Sequence, residues 1–429
     1  MRALLLGSGG RESALAWALH GSSSVDDLVV APGNPGIARI ARTAGVDPTD
    51  ARSVVKLASE IDADLVVIGP EAPLVAGVGD ALRAEGRSVF GPSASAARIE
   101  GSKTFAKDLM DRTGIPTARW GAFTDVHKAV AFMDELGPPY VTKADGLAAG
   151  KGVVVTPERG AALEAIQECL VHGKFGASGR SVVVEEFLSG EEVSLIALTD
   201  GETVRACEPA QDYKRALEDD RGPNTGGMGS YSPVPMCPEG LAQSVADEVI
   251  EPMVRATCAA AGPFIGAIYA GLVLTSQGAK VLEFNARFGD PETQALVPRL
   301  ISDFGEVCMA CAHGRLSEIE LEWRADKCVS IVLAAGGYPG GYAKGIEITG
   351  VEAAARCEGV QIFHAGTATQ DGKLVTNGGR VLNVSALGAT FEQARSRAYE
   401  AAALIHFEGK RMRSDIALKA EKLERAEAQ

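Results

Sequence analysis

Short apolar runs of strand length recur at residues 3–6, 28–31, 65–68 and 88–90, with helix-like stretches such as 13–20 and 76–84 between them. Strand and helix in alternation predict a doubly wound α/β layer on a parallel sheet. Each run passes straight into a loop: Gly7-Ser8-Gly9-Gly10, Pro32-Gly33-Asn34, Gly69-Pro70-Glu71 and Gly91-Pro92-Ser93. In open α/β sheets such carboxyl-end loops border the ligand crevice. Gly9 and Gly10 let backbone approach a ligand closely, and the helix that follows offers free N–H groups to an anion. GSGGRE puts Glu12 where a dinucleotide fingerprint needs its third glycine. The loop therefore reads as a phosphorylated-substrate site or a structural turn ahead of a nicotinamide site.

A chain of 429 residues exceeds what one core accommodates, so several domains are expected. Lys and Arg total 42 against 56 Asp and Glu, a formal charge of −14, the wrong sign for binding a nucleic acid duplex. Small anions held by local basic clusters remain compatible with that balance. Apolar runs fall short of the roughly 18 residues that span a bilayer. The opening MRALLLG is too brief for a signal peptide, and eight scattered cysteines give no disulfide framework. A cytoplasmic protein with reduced thiols and no membrane partner is expected. Cys308 and Cys311 have CxxC spacing, but no second Cys or His cluster lies beside them, and they read as core.

A helix over 102–112 precedes the run YVTKADGLAAGKGVVV at 140–155. Strand, small-residue loop, strand predicts a hairpin with a mobile cap. Its glycines and alanines leave backbone N–H groups free to wrap phosphate oxygens, while Lys143 and Lys151 neutralise charge. It is not a Walker loop, because Gly152 stands where a Ser or Thr would meet magnesium. The run 182–188 reads as a buried strand ending in Glu185 and Glu186, with a further strand from 190. These acids suit an adenine and ribose site if the Lys143 hairpin lies opposite.

Residues 276–278 read as a hairpin turn, after which a period of two puts Glu283, Asn285 and Arg287 on one strand face and Leu282, Phe284 and Ala286 on the covered one. A carboxylate beside an amide oxygen suits a magnesium ion that takes its other ligands from phosphates, and Arg287 is placed to brace a transferring phosphoryl group. Residues 211–229 are too glycine-rich for a helix or strand and read as a long functional loop carrying Lys214 and Arg215. Beyond about 325 the pattern changes to strands at 328–335, 361–366 and 373–385, the last broken at 377–379, then a helix over 391–407.

GGRE, APGN, GPEAPL, KADGLAAGKG, EEFLSGEE, GPNTGGMG, EFNARFGDPETQ, AAGGYPG and TNGGRVL occur in this order. Together they resemble the glycinamide ribonucleotide synthetase family of ATP-grasp enzymes across nearly the whole chain. The resemblance implies an N-terminal α/β substrate domain over 1–101 and an ATP-grasp domain over 102–325, its lid subdomain at about 121–189. A small α+β C-terminal domain over 326–429 completes the division. It implies a ligase of de novo purine biosynthesis that joins glycine to 5-phosphoribosylamine through glycyl phosphate, releasing ADP and phosphate.

The family pattern carries ATP contacts to Lys103, Lys143, Gly150, Lys151 and Gly152, the adenine hinge to Glu185, Glu186 and Leu188, and the ribose to Glu192, with Glu191 less favoured. Magnesium or manganese is carried to Glu283 and Asn285. Arg287 and Asp290 would hold glycine at the γ-phosphate. Gly9, Gly10, Asn34, Pro70, Glu71, Lys214 and Arg215 would hold phosphoribosylamine. Ser8, Ser13 and Tyr213 depart from the pattern, and the tyrosine segment 269–271 lacks a further acidic metal ligand. Tyr338, Asn377 and Arg380 fit structural and cleft-lining roles equally. A monomer or weak homodimer is expected. The rival readings are another ATP-grasp carboxylate-amine ligase or carboxylase and, from the first domain alone, a nicotinamide-dependent oxidoreductase.

Overall fold

The computed structural model describes residues 1–146 and 152–427. Five parallel strands, β1 (Arg2–Gly7), β2 (Asp27–Pro32), β3 (Arg42–Thr43), β4 (Leu65–Ile68) and β5 (Ser88–Phe90), form a sheet in the order β3-β2-β1-β4-β5. The alternation of side chains along each strand sends apolar residues to both faces. Leu4, Leu6, Val66 and Ile68 pack with Val54 and Leu57 of α2 (Ala51–Glu60). Ala3, Leu5, Leu65 and Val67 pack with Leu15 and Leu19 of α1 (Gly10–Gly21) and with Phe304, Val307, Cys308 and Cys311 of the helix Phe304–Ala312. The helix bearing the CxxC pair thus closes one face of the first sheet, and burial pushes both thiols up. The helix expected over 76–84 runs Val78–Ala84, starting after Gly77 in the left-handed region, and a separate short helix, Glu71–Val75, precedes it.

The segment Arg98–Gly101 and the helix Lys103–Thr113, capped by the Ser102 hydroxyl accepting from the Phe105 N–H, lead into two antiparallel sheets of four strands each. One comprises β6 (Trp120–Phe123), β7 (Tyr140–Ala144), β8 (Val153–Thr156) and β9 (Val182–Glu185), in the order β6-β9-β7-β8. The other comprises β10 (Glu191–Thr199), β11 (Val204–Ala206), β16 (Gly266–Thr275) and β17 (Gly278–Asn285), in the order β11-β10-β16-β17. The second sheet is buried on both sides: Leu195, Ala197, Ile268 and Ala270 join one core of the parallel sheet, while Ile196, Leu198 and Ala267 join the other.

Residues 211–229 are not loop throughout. They contain β12 (Gln211–Asp212), the hairpin β13 (Arg215–Leu217) and β14 (Arg221–Asn224), and the start of β15 (Gly229–Ser232). β12 and β15 join β18 (Lys327–Ala334), β19 (Val360–His364) and β22 (Arg380–Gly388) in a five-stranded antiparallel sheet of order β12-β15-β18-β22-β19. The glycines there obscure strand character because register is supplied by the partner strands, β18 for β15 and β15 for β12, and ladder hydrogen bonds need no side chain. Strands β20 (Thr367–Gln370) and β21 (Lys373–Thr376) form a separate hairpin. The helix Phe391–Leu404 covers the C-terminal sheet with Phe391, Ala394, Ala398 and Ala401. Among the described residues no helix is long and apolar enough to cross a membrane.

Two details of the β16–β17 hairpin differ from expectation. Only Ser276 and Gln277 form the turn, because Gly278 already pairs with Thr275. The register then shifts: Leu272 faces Val281 and Gly271 faces Glu283, so Leu282 is an extra, bulged residue. Val281, Phe284 and Ala286 remain in the core, while Leu282 turns to the cavity wall. Arg287 lies beyond the end of β17, so its aim comes from its contacts and not from strand period.

Glu12 explains the first glycine loop. Its carboxylate accepts from the Gly9 N–H at 2.7 Å and from Arg11 Nε at 2.5 Å, and it fills the space beside Gly7 and Gly69. A Cβ on Gly7 would stand 2.3 Å from Glu12 Cγ at a φ of +128°. Gly7→Ala is therefore expected to destabilise the protein by about 2–4 kcal/mol. Calorimetric unfolding beside Gly86→Ala, whose Cβ meets open space, checks the steric part.

Candidate active site

The two antiparallel sheets face each other across a cavity of about 1040 Å³, closed at its ends by loops of the parallel and C-terminal sheets. Of the residues singled out from sequence, Lys103, Lys143, Gly152, Glu185, Glu186, Leu188, Glu192, Glu283, Asn285, Arg287, Asp290, Glu71, Lys214 and Arg215 line it. Gly150 and Lys151, with most of the loop expected as a mobile cap, lie outside the described residues. Gly9, Gly10, Asn34 and Pro70 are not in the lining. Asn34 spends its amide on the protein: Nδ2 donates to Ser8 O at 2.9 Å, Ser13 Oγ at 3.1 Å and His364 O at 2.9 Å. Its Oδ1 accepts from the Gly36 and Ile37 N–H groups. Gly10 abuts Gln294 and Asn383, where a Cβ would come within 2.6 and 2.8 Å.

One end of the cavity is a cation cluster. β7 and β9 are adjacent and antiparallel, with Lys143 opposite Val183, which sets the Lys143 ammonium 2.8 Å from Glu185 Oε2. Lys107, one turn beyond Lys103, reaches Glu185 Oε1 at 3.2 Å and donates to Thr117 Oγ1 at 2.7 Å. Burial opposes ionisation of Glu185, but the flanking ammonium groups of Lys143 and Lys107 outweigh it and hold the carboxyl below its usual range. Burial draws Lys107 down to about 8, against the pull of Glu185. Lys103 is lowered by burial too, with Glu283 opposing. The Glu185 side chain thus neutralises lysines, which leaves its end of β9 and the Glu186–Leu188 backbone to form the edge of the cavity. Asp145 braces this end, accepting from the Thr104 N–H at 2.8 Å and the Ser181 hydroxyl at 2.9 Å.

Across the cavity, Glu192 holds Lys214 at 2.5 Å, and Glu191 pairs with Lys419 of the C-terminal helix. Burial pushes Asp212 up to about 7, against Lys214 and with Glu292 and Glu192 adding to it. Burial also opposes the Lys214 ammonium, yet Asp212 and Glu192 hold it above its usual range. The Glu283 carboxyl stays below its usual range although burial raises it, because Lys214, Lys143, Lys103 and Arg287 surround it. Neither the Glu283 nor the Asn285 side chain is hydrogen-bonded to another described residue. Tyr213 turns the other way: its hydroxyl accepts from the Ala417 N–H at 2.9 Å and Arg413 lies over its ring.

At the far end, Arg287 Nη2 donates to Glu100 Oε1 at 2.7 Å, and Glu71 Oε2 lies 3.5 Å from Arg287 Nε and 3.8 Å from Arg11 Nη2. Both arginines donate to Phe288 O. Asp290 meets Arg380 at 3.2 Å and accepts from Gln294 Nε2 at 2.7 Å. Burial raises the Asp290 carboxyl, but Arg380, Arg11 and Gln294 keep it below its usual range. Arg380 also donates to the carbonyls of Asp290 and Gly226, so it is cleft-lining and structural together. Sequence reading missed Lys107, Asp145, Glu100, Arg11, Asp212 and Glu292. ADG after Lys143 was the available signal for Asp145; the others depend on contacts between distant segments.

Removing the Glu185 charge leaves two buried ammonium groups facing each other. Glu185→Gln is expected to cost about 3–5 kcal/mol at pH 7. The folded carboxyl titrates below the ordinary 4.5, so its contribution is complete above that pH and is lost as pH falls through the lowered value. Calorimetry across pH 3–8 should show wild type and variant converging only on the acid side.

Three family models match in order. The phosphoribosylglycinamide synthetase N domain matches residues 1–100, its ATP-grasp (A) domain 101–293 and its C domain 328–419. A phosphoribosylamine–glycine ligase of Brucella melitensis is 50% identical over 427 residues, covering 99% of this chain and 100% of that one. Its counterpart in Vibrio cholerae is 48% identical over 423 residues, with 98% of each chain covered. The crystal structure of phosphoribosylamine–glycine ligase from Thermotoga maritima superposes with a TM-score of 0.85 at 36% identity, over 97% of this chain and 100% of that one. The biotin carboxylase domain of Hydrogenobacter thermophilus 2-oxoglutarate carboxylase, 16% identical, shares the fold with a TM-score of 0.74 over 96% and 91% of the two chains. A parallel sheet, two facing antiparallel sheets and a third sheet drawn partly from the middle of the chain, matched end to end in this way, mean that the protein belongs to the phosphoribosylglycinamide synthetase family.

Proposed function

We propose that this protein is an ATP-dependent ligase that joins glycine to 5-phosphoribosylamine and releases ADP and phosphate, in de novo purine biosynthesis. The observation that carries the reading is one cavity with lysines at one end, Glu283 and Asn285 on its wall, and Arg287 with Asp290 at the other end. A carboxylate is a poor acyl donor until phosphorylated. Phosphorylation requires its oxygen to meet a γ-phosphate while charge is balanced on both sides.

In this reading the adenine lies between Val155 and Leu188 on one wall and the bulged Leu282 on the other, beside the Glu185–Glu186 edge. Glu192 takes the ribose, and Lys103, Lys143, Lys151, Gly150 and Gly152 take the phosphates. Arg287 receives the glycine carboxylate and Asp290 the glycine ammonium. A glycine oxygen attacks the γ-phosphorus, the bond to the β-phosphate oxygen breaks, and ADP leaves. The phosphoribosylamine nitrogen then attacks the acyl carbon of glycyl phosphate; phosphate departs and the nitrogen gives up a proton to leave an amide. Glu71, Lys214 and Arg215 face that acceptor, while Gly9, Gly10, Asn34 and Pro70 shape the loops around it.

Glu283 and Asn285 fit a divalent cation: their side chains have no protein partners among the described residues, and a carboxylate plus an amide oxygen leaves most coordination positions for phosphates. No group of three His, Cys, Asp or Glu residues suited to a metal occurs among the described residues, in keeping with a site shared with the nucleotide. When bound, magnesium or manganese supplies neutralisation of phosphate charge. We place the protein in the cytoplasm, where its eight free cysteines suit reducing conditions, as a monomer or weak homodimer.

ADP release should require both glycine and freshly generated phosphoribosylamine. Coupled-assay turnover persisting with either omitted, or with bicarbonate in place of glycine, overturns the reading. Glu283→Ala should lose about 10²-fold or more in kcat with its unfolding temperature kept.

A further inference from the structure

We propose that Glu100 is the positioning residue for Arg287, an inference that rests on the assignment of Arg287 to the glycine carboxylate. Glu100 belongs to the short helical turn Arg98–Gly101 that precedes the lysine-bearing helix, and its carboxylate reaches the chain just beyond β17. Oε2 accepts from the Ala286 N–H at 2.9 Å and Oε1 from Arg287 Nη2 at 2.7 Å. One carboxylate therefore fixes both the backbone leaving Asn285 and the guanidinium that follows. The fixation is needed because β17 ends at Asn285, so no ladder bond of that strand orients Arg287.

The two carboxylates near Arg287 differ in kind. Glu100 is hydrogen-bonded with its side chain 6% exposed, whereas Glu71 lies at 3.5 Å with 36% exposed. Arg287 Nε is buried and has no hydrogen-bond partner. An incoming carboxylate can replace Glu71 at this edge of the guanidinium while Glu100 keeps the other in place. Glu100 borders the cavity with both carboxylate oxygens already accepting from the protein; it acts through Arg287, holding the fork in the orientation a glycine oxygen needs on its way to the γ-phosphorus.

The test is a double-mutant cycle on the full-length enzyme, with glycine KM and kcat from ADP release, ATP affinity by calorimetry, and unfolding temperature. Glu100→Gln keeps the volume but removes the charge and one acceptor. It should raise glycine KM and lower kcat, each about tenfold, with ATP affinity within about twofold of wild type. Placed on Arg287→Lys, the same change should cost less than about twofold further, because the fork it positions is gone. A full tenfold loss on that background, or an unchanged glycine KM in the single variant, overturns the inference while leaving Arg287 its role. Should Arg287→Lys itself leave glycine KM and kcat unaltered, the assignment of Arg287 fails and takes the inference with it. If Glu100→Gln does not fold, Glu100→Asp, which retains the charge but draws it back by one methylene, is held to the same measurements and outcomes.

Discussion

A cavity that receives a polyphosphate must hold several cations close together before the phosphate arrives, and their mutual repulsion is the constraint around which this site is built. At 4 Å two ammonium groups repel by about 4 kcal/mol at an effective dielectric of 20. The protein answers by setting carboxylates among the cations: Glu185 between Lys107 and Lys143, Glu192 on Lys214, Glu100 on Arg287, Asp290 on Arg380. Burial opposes the charge on Glu185, Glu283 and Asp290, yet the cations around them hold all three carboxyls below their usual range. At Glu185 two ammonium groups share one carboxylate, which leaves positive charge there for a substrate phosphate.

Holding these pairs in register demands that their supports not move independently. The middle sheet contributes to both cores of the parallel sheet, so β10 and β16 cannot shift without disturbing β1 and β4. The C-terminal sheet takes β12 and β15 from the middle of the chain, which brings Asp212 on β12, and Lys214 just beyond it, to the cavity on an edge strand paired with β15. Arg380, at the start of β22, binds the carbonyls of Asp290 and Gly226 together. Three segments far apart in sequence are thereby locked together beside Asp290.

What sequence made legible follows from what is local. The four short runs of the first sheet, the paired strands either side of the Lys143 loop, and Glu283 with Asn285 on β17 are set by side-chain period and turn residues, and they appear where those patterns place them. Glu283 and Asn285 were readable because two residues apart on a strand means one face. Leu282 was misplaced because a bulge breaks that period, and nothing in the run 278–285 marks it. The strands inside 211–229 were hidden because glycine hides strand propensity when neighbouring strands impose the register. Lys107 reads as an ordinary residue of the helix over 102–112 and Glu100 precedes that helix unmarked, and only the folded chain brings Glu100 to Arg287 and Lys107 to Glu185.

The departures from the family pattern show the same division between local and distant causes. Ser13 is an Asn34 partner, so the residue at that position tunes how the second loop is held, one layer behind the cavity. Tyr213 lines the cavity with its ring but fixes its hydroxyl on Ala417, within a buried group that includes Arg413 and Asp415. Its phenol stays protonated through the physiological range, because burial pushes its ionisation up. The hydroxyl is thereby a neutral group bound to the backbone at the edge of the cavity. The side-chain hydrogen bonds of Ser13 and Tyr213 reach Asn34 and Ala417 and not Arg287, Asp290, Glu283 or Asn285, so both departures lie apart from the residues assigned to phosphoryl transfer.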